Sequence, residues 1–323
     1  MERTIDWDGE AIVAIDQCAL PHDHRMLRLA DVDSLIAAIS RLAIRGAPAL
    51  GGAGALGVAL LARDHSDDVV REQAERLASA RPTAVNLRWG VQRALTRLED
   101  GPDAVLAEAL AVLSEDEQAN WTASGRAADL VRELCARRPL RLLTHCNAGR
   151  LATVGWGSAL GVVRHLAAAG EVEYVLADET RPLLQGARLT AYELAEMGVA
   201  YRICPDSAAA AAMAQGMVDC VVVGADRIAR NGDVANKIGT YAVALAAARH
   251  GVPFLVVAPE STVDESLADG GAIPIEQRDP AEVTHYAGVR VAPEGAAAFN
   301  PAFDVTPADL VTAIVTQDRV WRP

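Results

Sequence analysis

The sequence predicts an α/β protein in which a mainly helical amino-terminal domain precedes a Rossmann-like domain built on a parallel sheet. From residue 31 to residue 136, apolar residues recur every three or four positions, which is the period of amphipathic helices. After residue 138, short apolar runs alternate with single helical segments, a pattern typical of a parallel, doubly wound sheet. We therefore expect two domains, at residues 1–124 and 125–323.

The amino-terminal domain begins with strand-like stretches such as "AIVAID". Helices are predicted in "DSLIAAISRLAI", "DDVVREQAERLASA" and "WGVQRALTRLE", and Pro48, Pro82 and Pro102 separate the helical segments. The stretch "GAGALG", residues 52–57, formally matches a dinucleotide-binding fingerprint. It lies in a helical segment instead of between a strand and a helix, so we interpret it as a close helix-packing surface. A nicotinamide or flavin cofactor is not expected.

The second domain is expected to contain five strands, which lie in "LRLLTH", "VEYVLADE", "AYRICP", "VDCVVVGAD" and "VPFLVVAP". Between them are amphipathic segments, several of which stop at glycine, a residue that often follows a helix end. In "DVTPADLVTAIV", Thr306 is a candidate helix cap and Pro307 suits a first turn, so this stretch predicts a final helix.

The composition excludes several classes of partner and compartment. The net charge is −13 and no block of basic residues occurs, which argues against nucleic acids and anionic membranes as partners. The first residues do not resemble a signal peptide, and no stretch approaches the roughly 20 apolar residues of a membrane span. The five cysteines are widely spaced and form no CxxC motif, so we expect reduced thiols in a cytoplasmic protein.

Two chemically active side chains follow predicted strands. In open α/β sheets, ligands bind beyond the carboxyl ends of the strands. Cys146 follows the first strand and Asp226 the fourth, so the sheet would bring a thiol and a carboxyl group to one rim as an acid/base pair. The alternative for Asp226 is a helix cap. His145 is a candidate base for Cys146, but neighbouring strand residues point to opposite faces, which disfavours a direct couple.

Arg45, Gly46 and Ala47 lie at a helix junction, where backbone N–H groups beside a guanidinium suit a phosphate; a solvated turn is the alternative. Arg93 follows Trp89 by four residues, a spacing that also fits a surface stack.

Asn236 and Lys237 are expected at the start of a helix after the Asp226 loop, a position that favours anions. Gln185 occupies a similar position after the second strand. Helix capping is the alternative role for Asn236 and Gln185. The histidines do not cluster, and we predict no metal site.

Taken in order, several motifs resemble the methylthioribose-1-phosphate isomerase family across nearly the whole chain. These motifs are "RGAPA", "RPTAVNLRW", "THCNAG", "ADETRPLLQGARLTAYEL", "VGADRIARNGDVANKIGTY", "IPIEQRDPAEVT" and "FNPAFDVTPADLVTAI". The wider superfamily includes ribose-1,5-bisphosphate isomerases and regulatory subunits of the guanine-nucleotide exchange factor of translation initiation. The resemblance implies a homodimeric, cofactor-free aldose–ketose isomerase of a sugar phosphate, in which Cys146 and Asp226 are the acid/base residues. The implied substrate contacts are Arg45, Gly46, Ala47, Arg93, Gln185, Asn236 and Lys237.

Isomerisation of a sugar 1-phosphate needs an acid at the ring oxygen, because the phosphorylated anomeric oxygen prevents spontaneous opening. Asp226 can donate at neutral pH only if burial raises its pKa. Cys146 could remove the proton from carbon 2 as a thiolate if nearby cations lower its pKa, and a hydride shift would give the same product.

Three residues depart from the family pattern, namely Arg88, Arg150 and Trp156. If Arg88 or Arg150 reached the 5-position of the sugar, a 5-deoxy, 5-hydroxy or 5-phosphate substrate would fit better than a 5-methylthio one. The alternative is that both arginines point outward. A non-catalytic regulatory relative and a dehydrogenase are the rival classes; the intact Cys146 and Asp226 motifs favour the isomerase.

Overall fold

A three-stranded antiparallel sheet and a group of helices form the amino-terminal part of the chain. The computed structural model describes residues 2–81 and 85–323. The first elements are β1 (Ile5–Trp7), β2 (Ile12–Ile15), β3 (Met26–Leu29), α1 (Val32–Ser40), α2 (Ala47–Asp64), α3 (Asp67–Ala78), α4 (Val85–Leu95) and α5 (Pro102–Leu134). The predicted strand in "AIVAID" and the predicted helices are confirmed. Pro48 and Pro102 lie in the first turns of α2 and α5, whereas Pro82 lies outside the described residues.

Helix α2 runs through the middle of this part and is buried along most of its length. It packs closely on α4 because both helices present glycines at the crossing. A Cβ atom on Gly90 would lie 2.0 Å from the Gly51 carbonyl oxygen, and one on Gly54 would lie 2.5 Å from the Leu87 carbonyl oxygen. The glycine-rich stretch is therefore a helix-packing surface, as expected from its position in the sequence.

Helix α5 belongs to both halves of the molecule. Its first turns contribute Leu113 to the amino-terminal core, and Ala123 is the first of its residues in the core beneath the large sheet. The expected boundary between residues 124 and 125 falls within this continuous helix, near the point where the core changes. The division into 1–124 and 125–323 stays a prediction.

The second half is a seven-stranded sheet with helices on both faces. Its elements are β4 (Leu140–Thr144), α6 (Ala159–Ala168), β5 (Val172–Asp178), α7 (Ala191–Glu196), β6 (Tyr201–Cys204), α8 (Ala209–Ala214), β7 (Cys220–Val223), β8 (Arg227–Ala229), β9 (Val234–Lys237), α9 (Thr240–His250) and β10 (Phe254–Val257). The last elements are β11 (Val263–Asp264), α10 (Ala281–Thr284), β12 (His285–Tyr286), β13 (Val289–Arg290), β14 (Phe303–Thr306), β15 (Ala313–Val315) and β16 (Val320–Trp321).

The strand order of the large sheet is β16-β15-β10-β7-β4-β5-β6, and only β16 pairs antiparallel with its neighbour. The chain proceeds from β4 outward through β5 and β6, and then returns to β7 on the other side of β4. The order of strands thus reverses between β4 and β7. A crevice forms at such a switch point beyond the carboxyl ends of the strands.

A smaller sheet has the order β11-β8-β9-β14, and its strands β9 and β14 contribute residues to the cavity at this end of the large sheet. It corrects the expectation that Asn236 and Lys237 begin a helix, because both residues lie on β9 and α9 starts only at Thr240. The antiparallel pairing of β9 with β14 accounts for the difference, since it gives the backbone of this segment partners that are remote along the chain.

The expected final helix is also wrong. The segment after Phe303 forms β14, a short 3₁₀ turn at Ala308–Leu310, and then β15. Thr306 ends a strand and does not cap a helix. The segment is rich in β-branched residues, and β14 and β15 each complete a sheet beside a strand that would otherwise have an open edge. None of the helices within residues 2–81 and 85–323 is long and apolar enough to cross a membrane.

Candidate active site

A cavity opens at the switch point between β4 and β7, where the sequence predicted that Cys146 and Asp226 would meet. Cys146 lies two residues after β4 and Asp226 three residues after β7, and both side chains line the cavity. Among the other lining residues are Arg45, Gly46, Ala47, Arg81, His145, Asn147, Gln185, Asn236, Lys237 and Arg278. The cavity therefore combines a thiol and a carboxyl group with several cations.

The backbone of Cys146 is held in an unusual conformation. Its φ angle is 62°, in the left-handed region that residues other than glycine seldom adopt. Two threonines fix it: the Cys146 N–H donates to Thr180 Oγ1 over 2.9 Å, and Thr190 Oγ1 donates to the Cys146 carbonyl over 2.6 Å. A strained backbone clamped from both sides is typical of functional residues.

Both reactive groups are shifted toward their protonated forms. Burial raises the pKa of the Asp226 carboxyl, against the opposing charges of Lys237, Arg81 and Arg45. The direction agrees with the requirement for an acid at neutral pH. Burial also raises the pKa of the Cys146 thiol, although Arg45 and Lys237 act in the opposite direction. The expected cations are thus present, but they do not lower the pKa of Cys146 below its ordinary value.

Arg45 and Gly46 form one wall of the cavity at the start of α2. Arg45 donates to the Asn147 carbonyl over 2.8 Å and to Asn147 Oδ1 over 3.0 Å. Asn147 is held in turn by Glu193, a fully buried carboxylate that accepts from Asn147 Nδ2 and from the Arg150 N–H, each over 2.9 Å. The buried Glu193 carboxylate therefore orients Asn147, and Asn147 in turn orients Arg45.

Lys237 is the single lysine of the chain, in which the other 29 basic residues are arginines. Its Nζ donates to the Ala302 carbonyl over 2.9 Å and lies 4.5 Å from the centre of the Phe303 ring. Burial lowers its pKa, and Cys146 and Asp226 oppose that shift. The partners of its ammonium among the described residues are the uncharged Ala302 carbonyl oxygen and the face of the Phe303 ring. The positive charge therefore remains available to an anion.

Gln185 leads into a π-helical turn at Gly186–Thr190, an element that often occurs at functional sites. Its Oε1 atom is buried and has no hydrogen-bond partner among the described residues. A buried acceptor without a donor is costly, so this oxygen is suited to a hydroxyl group of a ligand. Asn236 is also buried, and its Nδ2 donates to Thr240 Oγ1 over 3.0 Å.

His145 is buried beside Cys146 with both ring nitrogens occupied. Nδ1 lies 2.9 Å from Asp178 Oδ2, and Nε2 lies 2.8 Å from the Ile238 carbonyl oxygen. Asp206, whose ligand atoms lie within 4.8 Å of this pair, uses its two oxygens to accept the N–H groups of residues 180 and 181. The geometry favours a hydrogen-bond network over a metal site.

The structure places Arg93 away from the cavity. Its guanidinium binds Glu108 over 2.7 Å and Glu115 over 2.8 Å, and it stacks on Trp89. The surface-stack interpretation of the "NLRWGVQR" segment fits this geometry. The predicted substrate contact at Arg93 has no counterpart in the lining of the cavity.

The departures from the family pattern lie outside the cavity lining as well. The Arg88 side chain is 43% exposed and binds Glu75. Arg150 does not point into solvent, since only 4% of it is exposed. Its guanidinium donates to Glu196 Oε2 over 2.7 Å instead of reaching the cavity. Trp156 donates to Ser124 Oγ.

Sequence reasoning misses two of the cations that line the cavity. Arg81 opens the "RPTAVNLRW" motif and Arg278 lies in "IPIEQRDPAEVT", yet the pattern assigns neither of them a role. In the structure Arg81 binds Glu276 over 3.4 Å, and Arg278 binds Glu276 and Glu282. The sequence feature that could have identified them is the presence of an arginine within each motif. The first motif contains two arginines, and spacing does not show which of them faces the cavity.

The fold and site define a class: a Rossmann-like α/β protein with a cavity at its switch point that combines a thiol, a carboxyl group and several cations. Residues 43–323 match the Initiation factor 2 subunit family, and the chain belongs to that family.

Among curated relatives, the chain is 60% identical to a probable bifunctional methylthioribose-1-phosphate isomerase/methylthioribulose-1-phosphate dehydratase of Nocardia farcinica, covering 99% of this chain but only 59% of that protein. It is 52% identical to a methylthioribose-1-phosphate isomerase of an Anaeromyxobacter species, covering 98% and 93% of the two chains.

Two solved structures share the fold along the whole chain. One is 5-methylthioribose 1-phosphate isomerase from Pyrococcus horikoshii, with a TM-score of 0.89, 38% identity, and coverage of 100% and 93% of the two chains. The other is described as translation initiation factor eIF-2B, subunit delta, from A. fulgidus, with a TM-score of 0.88, 42% identity, and coverage of 100% and 96%.

Proposed function

We propose that this protein is an aldose–ketose isomerase that converts 5-methylthioribose 1-phosphate to 5-methylthioribulose 1-phosphate in methionine salvage. The observation that carries the proposal is the cavity in which Cys146 and Asp226 share a site with cations that suit a phosphate. Relatives with the isomerase name and 52–60% identity support it. A purely regulatory protein has no chemical need for such a pair.

Asp226 is the proposed acid of the ring-opening step. Its carboxyl group, whose pKa is raised by burial, gives its proton to the ring oxygen as the bond from that oxygen to carbon 1 breaks. The electron deficiency at carbon 1 is shared with the attached phosphate oxygen. Arg45 and Lys237 line the same cavity and are the proposed phosphate contacts, with Gln185 as an acceptor for a sugar hydroxyl.

The second step moves a hydrogen from carbon 2 to carbon 1, and two routes remain. In one, Cys146 acts as a thiolate, which Arg45 and Lys237 stabilise against the effect of burial, and it removes the carbon 2 proton to give an enol. The thiol then returns a proton to carbon 1, and the 2-hydroxyl gives its proton to the Asp226 carboxylate. In the other, a hydride shifts directly, and the Asp226 carboxylate recovers a proton from the 2-hydroxyl. Turnover in D₂O tests the first route: deuterium at carbon 1 of the product identifies proton transfer through a group that exchanges with solvent, whereas a hydride shift leaves carbon 1 unlabelled.

The apolar surroundings of the cavity support a methylthio group at carbon 5. A second cavity shares Ala47, Asp226 and other walls with the first. Its further lining is mostly apolar and consists of Leu50, Val85, Asn86, Arg227, Ala235, Ile273 and Pro274, together with the shared Arg81 and Phe303. A phosphate or hydroxyl placed against the apolar part of this surface would lose water contacts, whereas a methylthio group gains by leaving water.

The test is a coupled assay on purified, chelator-treated protein with four substrates: 5-methylthioribose 1-phosphate, 5-deoxyribose 1-phosphate, ribose 1-phosphate and ribose 1,5-bisphosphate. We expect the highest kcat/KM for the methylthio sugar. A preference for another sugar would support the aldose–ketose isomerisation but overturn the assignment of 5-methylthioribose 1-phosphate as the substrate. Turnover of none of them would favour the non-catalytic alternative.

The catalytic pair is tested by Cys146→Ser and Asp226→Asn. We expect Asp226→Asn to lower kcat by about 10²–10⁴-fold, the usual contribution of a general acid, with the substrate still bound in calorimetry. Cys18→Ser is the matched control, because Cys18 is an exposed thiol elsewhere in the chain. A folded Cys146→Ser enzyme with the wild-type rate would remove Cys146 from the mechanism.

We also propose a cytoplasmic homodimer. The five described cysteines are free thiols, and apolar side chains such as Phe299 (84% exposed) and Val291 (66% exposed) offer surface that a second copy would cover. Light scattering coupled to gel filtration tests the assembly, and a monomer at micromolar concentration would contradict it.

A further inference from the structure

The buried imidazole of His145 is left unused by the proposed chemistry, although it lines the cavity next to Cys146. Two hydrogen bonds limit what it can do. The Ile238 carbonyl oxygen is only an acceptor, so Nε2, at 2.8 Å, must carry a hydrogen. Nδ1 lies 2.9 Å from Asp178 Oδ2, and that contact also needs a hydrogen between its two atoms.

The pair of His145 and Asp178 therefore holds one shared proton, either as imidazolium with carboxylate or as imidazole with carboxylic acid. Neither form leaves a ring nitrogen free to accept a proton from substrate. The titratable groups that face the pair are Cys204, Asp206 and Asp304. Burial disfavours a charged imidazole, but the hydrogen bond and charge of Asp178 raise the pKa of His145 overall.

The hydrogen bond from His145 Nε2 to the Ile238 carbonyl connects this pair to the side of the cavity where Lys237 lies. Ile238 directly follows Lys237, and the turn through Gly239 fits closely against the imidazole: a Cβ atom on Gly239 would lie 2.8 Å from His145 Cε1. From the other side, β14 holds the turn through the Gly239 N–H, which donates to Asp304 Oδ2 over 2.7 Å. The turn that carries Lys237 is thus fixed from two directions.

We propose that His145 is a positioning residue: by bridging Asp178 and the Ile238 carbonyl, it holds the Lys237 turn against the Cys146 loop. This role rests on the proposed function, since it takes the anion held by Lys237 to be the phosphate of the substrate. It assigns His145 to substrate binding through Lys237 and excludes it as the base.

Two variants separate the hydrogen bonds of the imidazole. In His145→Gln, the side-chain amide can reach the Ile238 carbonyl as Nε2 does, whereas in His145→Asn it can reach Asp178 as Nδ1 does. We expect KM to rise about tenfold more in the asparagine variant than in the glutamine variant, because loss of one hydrogen bond in a charged site costs about that factor. His165→Asn is the matched control: its Nε2 also lies near a backbone carbonyl, that of Trp121, outside the cavity.

A second readout is independent of activity. Because Lys237 is the single lysine, protein labelled with [ε-¹³C]lysine gives one lysine resonance, whose shift and titration report the position of its ammonium. We expect the resonance to move in His145→Asn and to stay near its wild-type position in His145→Gln. An unmoved resonance in the asparagine variant would overturn the proposal even if the protein turned over no sugar phosphate.

If His145→Asn does not fold, the Asp178→Asn variant still distinguishes a positioning role of His145 from a role as a base. An amide at position 178 can donate to Nδ1 and leaves Nε2 on the Ile238 carbonyl, so we expect the turnover rate to fall less than tenfold. If turnover instead slowed by about a hundredfold or more, with KM and the lysine resonance unchanged, His145 would be identified as a base and the positioning role would be overturned.

Discussion

Gly46 offers a direct test of whether the start of α2 positions the anion-binding arginine. It precedes α2 with φ 91° and ψ 135°, a conformation that is costly for any other residue. A Cβ atom there would lie 2.2 Å from the Ala152 carbonyl oxygen and 2.6 Å from the Ala152 Cα atom. Both are backbone atoms that no side-chain rotation can remove, so Gly46→Ala must displace the loop that carries Arg45.

Gly101 is a matched control. It precedes α5 with φ 94° and ψ 170°, and a Cβ atom there would meet nothing within 4 Å. Gly101→Ala therefore measures the backbone cost alone, about 1–3 kcal/mol. For a chain of this size that corresponds to a fall in Tm of about 2–6 °C. Gly46→Ala should lose at least as much, because it adds the collision with Ala152.

The two variants should differ most in catalysis. Displacement of the loop withdraws Arg45 from its contacts with Asn147 and from a bound phosphate, and a hydrogen bond to a charged group contributes about 1.5–3 kcal/mol. We expect kcat/KM for Gly46→Ala to fall about ten- to a hundredfold, and that for Gly101→Ala to remain near the wild-type value. Equal kcat/KM values in steady-state assays of the two folded variants would refute the reasoning.

Three further predictions concern residues around the cavity and one half-buried acid. Arg81→Gln should lower kcat/KM about tenfold or more, whereas Arg93→Gln should leave it within about twofold; the reverse order in steady-state assays would restore Arg93 to the site. Glu193→Gln should raise KM about tenfold with less effect on kcat, because it frees Asn147; an unchanged KM would contradict this. Burial raises the pKa of Asp116 to about 7, so the folded state holds a proton that the unfolded state, with a pKa of 3.8, releases. The free energy of unfolding should therefore fall as pH rises from about 4 to about 7, and Asp116→Asn should flatten this slope in urea titrations.

The sequence predicted those parts of the fold and site that local pattern controls. Cys146 and Asp226 could be placed at one rim because each follows an apolar strand, and the carboxyl ends of parallel strands share an edge. Asn236 and Lys237 reach the same cavity, but on a strand: β14, the strand with which these two residues pair, is remote in sequence, and periodicity within a short segment does not reveal it. The expected final helix is wrong for the same reason.

Arginines are the hardest residues to assign from the sequence. The segment from Arg81 to Arg93 contains three of them, and spacing alone does not say which one faces the cavity. In the structure all three arginines meet carboxylates, but of the three it is Arg81, bound to Glu276, that lines the cavity. Arg93 meets two glutamates on the neighbouring α5, and Arg88 meets Glu75 on α3, so the carboxylates that bind these two arginines lie outside the cavity lining.

Two cations of the cavity differ from these arginines, and they are the ones that we assign to the phosphate of the substrate. Within the described residues, Arg45 has hydrogen bonds only to the oxygens of Asn147, and Lys237 only to the Ala302 carbonyl, so neither charge is paired with a carboxylate at close range. Burying an unpaired cation is unfavourable, and a protein with a net charge of −13 has no shortage of acids to pair with it. The acid that shares the cavity with them, Asp226, is itself shifted by burial toward its neutral form. Arg45 and Lys237 thus give the cavity positive charge that no nearby carboxylate of the described chain neutralises. Binding of a phosphate dianion would supply the anion with which these two cations can pair.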